Sequence, residues 1–192
     1  KNINIIHTSS EKPYCVISFK KWKNFCLDTK NKLEIKNKKV AKYFPIKNYF
    51  KIITDDNTEY YAEKIYDSRS TKEKKGELLQ HFYGINITVP DNTFNKNELT
   101  LMHFTEEENI LHFIYVLPFS HNKALVESTV FSKDAFHSSW YKEKINDYLK
   151  KKNITEFNEQ GMEKGVIPMF FAEEKRSANS NIFNIGIRGG AC

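Results

Sequence analysis

Two apolar runs joined by a short polar turn constrain the fold of this chain more than any other feature. The first run is Ile110–Leu117, and the second is Ala124–Phe131. Almost wholly apolar runs of this length are typical of strands that are covered on both faces. We expect Pro118 to end the first strand and the polar turn Ser120–Lys123 to reverse the chain. The runs therefore predict two neighbouring antiparallel strands in a buried sheet.

Further helices and strands are predicted on either side of these runs. The spacing of apolar residues predicts a helix over Ser18–Thr29. An apolar stripe predicts a second helix, which is capped by Ser132 or Asp134 and ends near Lys152. The remaining strand-like segments are Lys39–Ile46, Tyr49–Thr54, Glu59–Tyr66, Leu78–Val89, Leu99–Phe104, Gly165–Phe171 and Asn181–Ile187. This mixture of helices and antiparallel strands indicates the α/β (α+β) class.

Composition and histidine spacing exclude several classes of protein. The 15 Phe and 10 Tyr can bury a real core, which excludes a disordered tail. The three cysteines form no CxxC pair, so we expect neither a disulfide framework nor a zinc site. His81, His103 and His112 lie on neighbouring strand candidates, but they lack HxH or HExxH spacing. The sequence therefore predicts no metal site.

Lysine supplies nearly all of the positive charge of this chain. The formal net charge is +6, and lysine is concentrated in residues 1–53. Arginine, which reads bases and grips phosphates, is nearly absent there, so nucleic-acid binding is not expected. A lysine-rich surface instead favours anionic lipid headgroups. We expect a cytoplasmic protein with a peripheral contact at the inner face of the membrane.

Glu127 is the candidate catalytic acid. On a strand it shares a face with Leu125, Thr129 and Phe131. If that face is buried, the pKa of the carboxyl is raised and the group can act as a general acid. If the face is solvated, Glu127 is an ordinary surface residue. The pattern leaves both interpretations open.

Aromatic residues and a pair of glycines supply two weaker signals. The aromatic residues cluster in the predicted sheet strands, where they pack a core or line a tunnel for an apolar ligand. Gly189 and Gly190 follow an apolar strand, where they form a turn or bring backbone amides close to a cofactor. The chain contains no GxGxxG, so it does not hold a dinucleotide in the usual way by itself.

Six segments, taken in order along the chain, resemble the flavin-dependent lycopene cyclases. The most specific is the run Phe113–Ser120 followed by Ala124–Thr129. The other segments that resemble the family are Ile65–Arg69, Gln80–Gly84, Leu99–Met102, Gly165–Met169 and Gly186–Cys192. The chain departs from many bacterial members at Asn86 and at His103, where those members carry acids.

The resemblance implies part of a flavoprotein-monooxygenase-like fold, with an antiparallel substrate-domain sheet and an incomplete FAD-binding domain. It places a partial FAD-binding domain in residues 1–76, the substrate-binding sheet and helix in 77–172, and a return to the FAD-binding domain in 173–192. The family's N-terminal glycine-rich turn and its C-terminal end have no counterpart in the sequence. We therefore expect a fragment that is inactive by itself.

The resemblance also implies a function, namely that of a lycopene β-cyclase in carotenoid biosynthesis. FAD, reduced by NAD(P)H, assists a redox-neutral cyclisation of the ψ-ends of lycopene. The implied catalytic residues are Glu127 and His103. The implied cofactor-binding residues are Asp67, Arg69, Arg188, Gly189 and Gly190, and the implied substrate-binding residues are Phe82, Tyr83, Phe113, Tyr115 and Phe119.

Two other functions stay open at the level of sequence. One is a different FAD- and NAD(P)H-dependent oxidoreductase or monooxygenase that acts on an apolar substrate. The other is a non-enzymatic, lysine-rich binding module.

Overall fold

The computed structural model describes residues 5–11, 13–28, 33–69, 76–90, 92–169 and 181–190. The chain divides into two compact units, Lys1–Ala62 and Glu63–Cys192. The last two residues of the predicted strand Gly165–Phe171 and the terminal Cys192 lie outside the described residues. The division into 1–76, 77–172 and 173–192 stays a prediction.

The first unit contains one helix and one three-stranded antiparallel sheet. Helix α1 is Phe19–Asp28, and the strands are β1 (Val40–Ile46), β2 (Tyr49–Thr54) and β3 (Glu59–Ala62), in the order β1-β2-β3. Asn57 has a φ of 62° in the β2–β3 turn, a left-handed conformation that asparagine tolerates. The helix predicted over Ser18–Thr29 is confirmed within the described residues.

The predicted strand Glu59–Tyr66 is wrong in extent, because the structure splits it. Strand β3 ends at Ala62, and a separate strand, β4 (Ile65–Asp67), begins in the second unit. Strand β4 pairs in parallel with β10 (Ile182–Asn184) instead of with β2. The pairing of β4 is therefore decided by a segment more than a hundred residues further along the chain.

The second unit is built on a five-stranded antiparallel sheet. Its strands lie in the order β6-β7-β8-β5-β9. They are β5 (Leu79–Thr88), β6 (Thr100–Phe104), β7 (Leu111–Ser120), β8 (Lys123–Ser132) and β9 (Asn158–Pro168). Strands β7 and β8 form the antiparallel pair that the two apolar runs predict, and the mixed α/β (α+β) class is confirmed.

Pro118 does not end β7, which continues to Ser120. The pairing of β7 with β6 ends at the Thr100–Val116 pair, so Pro118 lies where β7 has lost that neighbour. A register irregularity between Pro118 and Ser120 accommodates the ring. The proline therefore removes no hydrogen bond between β7 and β6.

Helix α2, Ser138–Lys151, begins later than the sequence indicates. Its N-cap is His137, whose Nδ1 accepts a hydrogen bond from the backbone N–H of Ser139 at 3.4 Å. Ser132 still belongs to β8, and its hydroxyl donates to the carbonyl of Asp134 at 2.7 Å. The two predicted caps therefore belong to the strand end and to the turn before the helix.

Strand β9 is also longer than predicted, and β10 is shorter. Strand β9 begins at Asn158, seven residues before the predicted start at Gly165, because its first half is polar and exposed. An exposed strand at the edge of a sheet has no buried face, so it needs no alternation of apolar and polar residues. The sequence of this part of β9 therefore resembles that of a loop. Strand β10 ends at Asn184, and a short 3₁₀ helix, Gly186–Gly189, replaces the predicted end of that strand.

Helix α2 packs on one face of the large sheet and closes the core. Ile145, Leu149 and Tyr141 lie in a buried cluster with Val126 and Ile114 of the central strands. The core of this unit is therefore a helix laid on an antiparallel sheet.

No helix in the described ranges reaches the length and apolarity that crossing a bilayer requires.

We predict that Ile145→Ala destabilises the protein by about 3 kcal/mol, because it leaves a cavity at a side chain that is 0% exposed. Urea unfolding followed by circular dichroism measures the change. The neighbouring Asn146→Ala serves as the control, since Asn146 is exposed and should change stability by less than about 0.5 kcal/mol. Equal effects of the two substitutions would contradict the packing described.

Candidate active site

The five-stranded sheet presents two chemically different faces. Side chains alternate along a strand, and cross-strand partners share a face. One face, termed the helix face, carries Val126, Ser128 and their partners, and α2 packs on it. The other, termed the Glu127 face, carries Glu127 and Thr129 with their partners on β7 and β5. The two faces therefore serve the core and the candidate site separately.

Glu127 lies in a protected position on β8, the central strand. Thr129, which is 1% exposed, donates a hydrogen bond from Oγ1 to Oε1 of Glu127 at 2.7 Å. Burial raises the pKa of Glu127 to about 7, with a further increase from the carboxyl of Glu163, and the Thr129 hydroxyl opposes the increase. Of the two interpretations that the sequence left open, the buried face is the one observed.

Glu163 is the functional candidate that sequence reasoning missed. It lies on β9, and the pairs Glu127–Gly84 and Gly84–Glu163 place the two carboxyl residues on either side of one glycine. A Cβ added to Gly84 would lie 3.2 Å from Cγ of Glu163 and 3.4 Å from Cβ of Glu127. In the sequence, Glu163 lies two residues before Gly165, where the predicted strand begins. This spacing places Glu163 on the same face as Gly165 only if the strand begins earlier, as β9 does at Asn158.

Three of the five predicted substrate residues share the face of Glu127. They are Tyr115, the cross-strand partner of Glu127, and Phe113 and Phe82, the partners of Thr129. A Cβ added to Gly165 would lie 2.7 Å from the ring of Phe82, so this ring lies directly on a glycine of β9. The structure therefore brings an acid and three aromatic rings onto one surface.

The other two predicted substrate residues lie elsewhere. Tyr83 is 3% exposed on the helix face, and its ring stacks on that of Tyr141 with centroids 6.3 Å apart. Phe119 is 50% exposed, in the irregular end of β7. The structure does not bring either residue to Glu127.

His103 lies on the helix face and not beside Glu127. It pairs with Ile114 of β7, and its ring meets that of Tyr148 edge-on at 5.1 Å. Burial lowers the pKa of His103, and the charges of Lys152 and Lys151 lower it further. The two predicted catalytic residues therefore face opposite sides of one sheet.

The three histidines lie on strands that are consecutive in the chain, but in the sheet β8 separates β5 from β6 and β7. His81, on β5, hydrogen-bonds through Nδ1 to the Tyr141 hydroxyl at 2.6 Å. His112, on β7, hydrogen-bonds through Nε2 to Ser128 Oγ at 2.8 Å. Burial lowers the pKa of both histidines, that of His112 to about 4. They act as buried neutral hydrogen-bonding groups, and the described residues contain no cluster suited to a metal ion.

A second polar cluster gathers three of the predicted cofactor-binding residues at the ends of β4 and β10. The Arg69 guanidinium donates to both carboxylate oxygens of Asp67, from Nε at 2.9 Å and from Nη2 at 2.7 Å. These bonds are the main reason why the pKa of Asp67 falls to about 2. Nε of Arg188 lies 2.9 Å from Oδ1 of Asn184 and 3.5 Å from Oδ2 of Asp67.

The two remaining cofactor candidates form the turn that follows Arg188. A Cβ on Gly189 would lie 2.6 Å from the carbonyl oxygen of Asn184, so only glycine fits there. Gly190 has a φ of 85°, a left-handed conformation that favours glycine. The turn therefore depends on both glycines and holds Arg188 beside Asp67.

A cavity in the second unit lies away from Glu127. Its volume is about 330 Å³, and its lining includes Thr100, Val116, Val126 and Tyr148. These residues belong to the end of α2 and to the helix face. This cavity therefore belongs to the helix face, and its lining does not include Glu127.

Comparisons with known proteins agree with this architecture. The sequence profile of a family described as lycopene cyclase protein matches residues 7–192. No curated protein sequence matches the chain significantly. Among solved structures, the chain is similar to the Diels-Alderase PyrE3 of pyrroindomycin biosynthesis, with a TM-score of 0.50 and 10% identity over 79% of this chain and 34% of that chain.

A second solved structure, the R204Q variant of HpxO from Klebsiella pneumoniae in complex with FAD, is similar to the same extent. Its TM-score is 0.50 at 11% identity, over 79% of this chain and 43% of that chain. At such identities the likeness concerns the fold, and it confirms the flavoprotein-monooxygenase-like fold expected from the sequence. The chain spans less than half the length of either protein.

We predict that Glu127 makes the stability of the folded chain depend on pH. Its pKa is about 7 when folded, against 4.5 for the free side chain, so folding binds the proton more tightly. The resulting stabilisation is complete below about pH 4.5 and is lost as the pH rises through about 7. Urea unfolding at a series of pH values should show the free energy of unfolding falling across this range, relative to Glu127→Gln. Parallel curves for the two proteins would contradict the assignment.

Proposed function

This chain belongs to the lycopene cyclase family, and we propose that it forms part of a lycopene β-cyclase of carotenoid biosynthesis. Such an enzyme closes the linear ψ-ends of lycopene into β-ionone rings. The observation that carries the proposal is the half-buried Glu127, whose pKa of about 7 suits a general acid, beside aromatic rings on one sheet face. This arrangement meets the two needs of an acid-initiated cyclisation, a proton and an apolar surface.

In the proposed reaction, Glu127 donates a proton to the terminal double bond of the polyene. The resulting carbocation is attacked by a neighbouring double bond, which closes the ring, and the cyclic cation then loses a proton. One proton enters and one leaves, so the substrate is neither oxidised nor reduced. The Thr129 hydroxyl, 2.7 Å from Oε1 of Glu127, fixes the orientation of the acid.

The aromatic residues beside Glu127 suit a substrate that is entirely hydrocarbon. Phe82, Phe113 and Tyr115 offer ring faces, and the electron-rich face of an aromatic ring stabilises positive charge. Phe113 also packs near Phe104 and Phe131, at centroid distances of 5.8 and 6.4 Å. With a hydrocarbon substrate laid on them, these rings would form an apolar surface that keeps water from the cation. Tyr83 and His103 are given no part in this proposal, because they lie on the helix face.

The residues around Asp67 fit the flavin that the proposal requires. Arg69 and Arg188 hold cationic groups beside two parallel strand ends, and Gly189 keeps the backbone close to Asn184 where a side chain would not fit. Arginine forks and close backbone are suited to the phosphates of FAD. Reduced by NAD(P)H, a bound flavin would supply an electron-rich ring system that stabilises positive charge.

A second candidate function is an oxidoreductase or monooxygenase that uses FAD and NAD(P)H on another apolar substrate. The fold likeness to HpxO in complex with FAD favours it. Consumption of NAD(P)H that depends on oxygen and on the added substrate would distinguish this activity from a redox-neutral cyclisation.

The first unit supports a peripheral contact with a membrane, where a hydrocarbon substrate is dissolved. Phe19, Trp22 and Phe25 are exposed on α1, which also carries Lys20 and Lys21. Aromatic and lysine side chains together favour the interface of an anionic bilayer. We propose that the protein works at the cytoplasmic surface of the membrane.

We predict that Glu127→Gln lowers the conversion of lycopene to cyclic carotenes by about 100-fold or more, because the amide cannot donate a proton as an acid does. The complete gene product and its variant are expressed in lycopene-producing cells, and the carotenoids are separated by chromatography. Glu143→Gln, an exposed change of the same kind on α2, is the control and should convert lycopene normally. Normal conversion by Glu127→Gln would overturn the proposed role.

We predict that Arg188→Ala weakens the binding of FAD by about tenfold or more, because it removes a charge-assisted hydrogen-bond donor beside Asp67. Quenching of flavin fluorescence on titration with the complete gene product measures the affinity. The exposed Lys133→Ala removes the same charge elsewhere and should bind FAD normally. Equal affinities for the two variants would remove Arg188 from the proposed cofactor site.

A further inference from the structure

The side chains of Glu127 and Glu163 both lie beside Gly84, which has no side chain to separate them. Glu127 on β8 and Glu163 on β9 are both cross-strand partners of Gly84 on β5, the strand between them. Directly opposite residues lie about 5 Å apart, so residues two strands away are normally separated by an intervening side chain. At Gly84 that side chain is absent, and the space holds Glu163 Cγ and Leu125 Cδ1 instead, 3.2 and 3.0 Å from where a Cβ would lie.

Two carboxyls in this arrangement hold one proton more firmly than two separate carboxyls would. The Glu163 side chain lies close enough to Glu127 to raise the pKa of that carboxyl, and a proton shared between two carboxyls requires that one of them is protonated. Partial burial disfavours the charged form of Glu127, and the neighbouring carboxyl of the exposed Glu163 favours the protonated form of Glu127 further.

The other groups that face this pair do not provide a competing charge. Tyr115 of β7 is the remaining cross-strand partner of Glu127. From β5, Phe82 and Asn86 flank Gly84 on the same face, and both are uncharged. Lys123, at the start of β8, shares the face but lies four residues from Glu127 along the strand. Among the described residues of this face, Glu163 is therefore the charged group nearest to Glu127.

We propose that Glu127 and Glu163 form a single proton-sharing catalytic pair across Gly84, with Glu127 as the proton donor and Glu163 as the base. This inference rests on the proposed cyclisation and adds to it the group that receives the proton. Glu127 gives its proton to the terminal carbon of the double bond, and the ring closes through the carbocation. The C–H bond next to the cationic carbon then breaks, its electrons form the ring double bond, and the proton passes to Glu163 and back to Glu127.

The two carboxyls supply the one proton that the reaction needs, and they recover it when the product forms. The pair holds one proton before the reaction, none while the substrate is cationic, and one again when the product forms. The cation is accompanied by two carboxylates during the intermediate stage, which favours the charged species over the neutral polyene. No oxidant or reductant is consumed, in agreement with an isomerisation.

The test compares Glu163→Gln with Glu159→Gln, because both remove one exposed carboxylate from β9. In the complete gene product, ¹³C NMR follows the titration of the Glu127 carboxyl, and cyclisation is measured against pH. In Glu163→Gln the pKa of Glu127 should fall by about one unit, because a neighbouring negative charge is removed. Cyclisation should fall by about 100-fold, and its alkaline limb should move to lower pH by the same unit. Glu159→Gln should change neither measurement.

The conservative variant Glu163→Asp separates a chemical role from a structural one. It keeps a carboxyl on a shorter side chain. Compared with Glu163→Gln, it should therefore restore part of the cyclisation and most of the lost increase in the pKa of Glu127. Circular dichroism and unfolding temperature establish that each variant is folded. If Glu163→Gln titrates and cyclises as Glu159→Gln does, the inference is wrong, while the proposed function stands. If the titrations of Glu127 and Glu163 are coupled but the unmodified protein forms no cyclic carotene, the proposed function is wrong, and the pair remains a proton-sharing site.

Discussion

The pairing of β8 with both β5 and β7 is the interaction on which the rest of the second unit depends. Because side chains alternate along a strand, this one element supplies the core on one side and the acid on the other. Val126, Ser128 and Val130 face helix α2 and are 0% exposed. Glu127 and Thr129 face away from α2. A shift of one residue in this register would place the glutamate in the core, so folding and chemistry depend on the same ladder.

Gly84 and Gly165 shape the Glu127 face because they have no side chains. Gly84 leaves the space that the side chains of Glu127 and Glu163 approach from the two flanking strands, and Gly165 leaves the surface on which the Phe82 ring rests. Glycine in a strand normally weakens it, since it contributes no side chain to the packing and loses more entropy on folding. Here side chains of adjacent strands occupy the space instead, Glu163 and Leu125 at Gly84 and the Phe82 ring at Gly165. The glycines are therefore part of the site, although neither carries a reactive group.

The sequence predicted most of the elements and failed where local pattern and tertiary context disagree. The apolar runs of β7 and β8 and the stripe of α2 were read correctly, because buried elements carry periodic apolar residues. The first half of β9 was missed, because an exposed edge strand carries no such periodicity. Pro118 was read as a strand end, because the local pattern does not reveal that β7 has already lost its neighbour there.

The sequence by itself determined that Glu127 lies on an apolar strand, that it shares a face with Thr129, and which family the chain belongs to. These properties depend on residue order, on the two-residue period of a strand and on recognisable motifs. Only the tertiary structure decided that His103 faces away from Glu127 and that Glu163 faces towards it. Those relations depend on strand order and on register between segments far apart in the chain. The free energy of such pairings comes from the assembled sheet, so no local pattern encodes it.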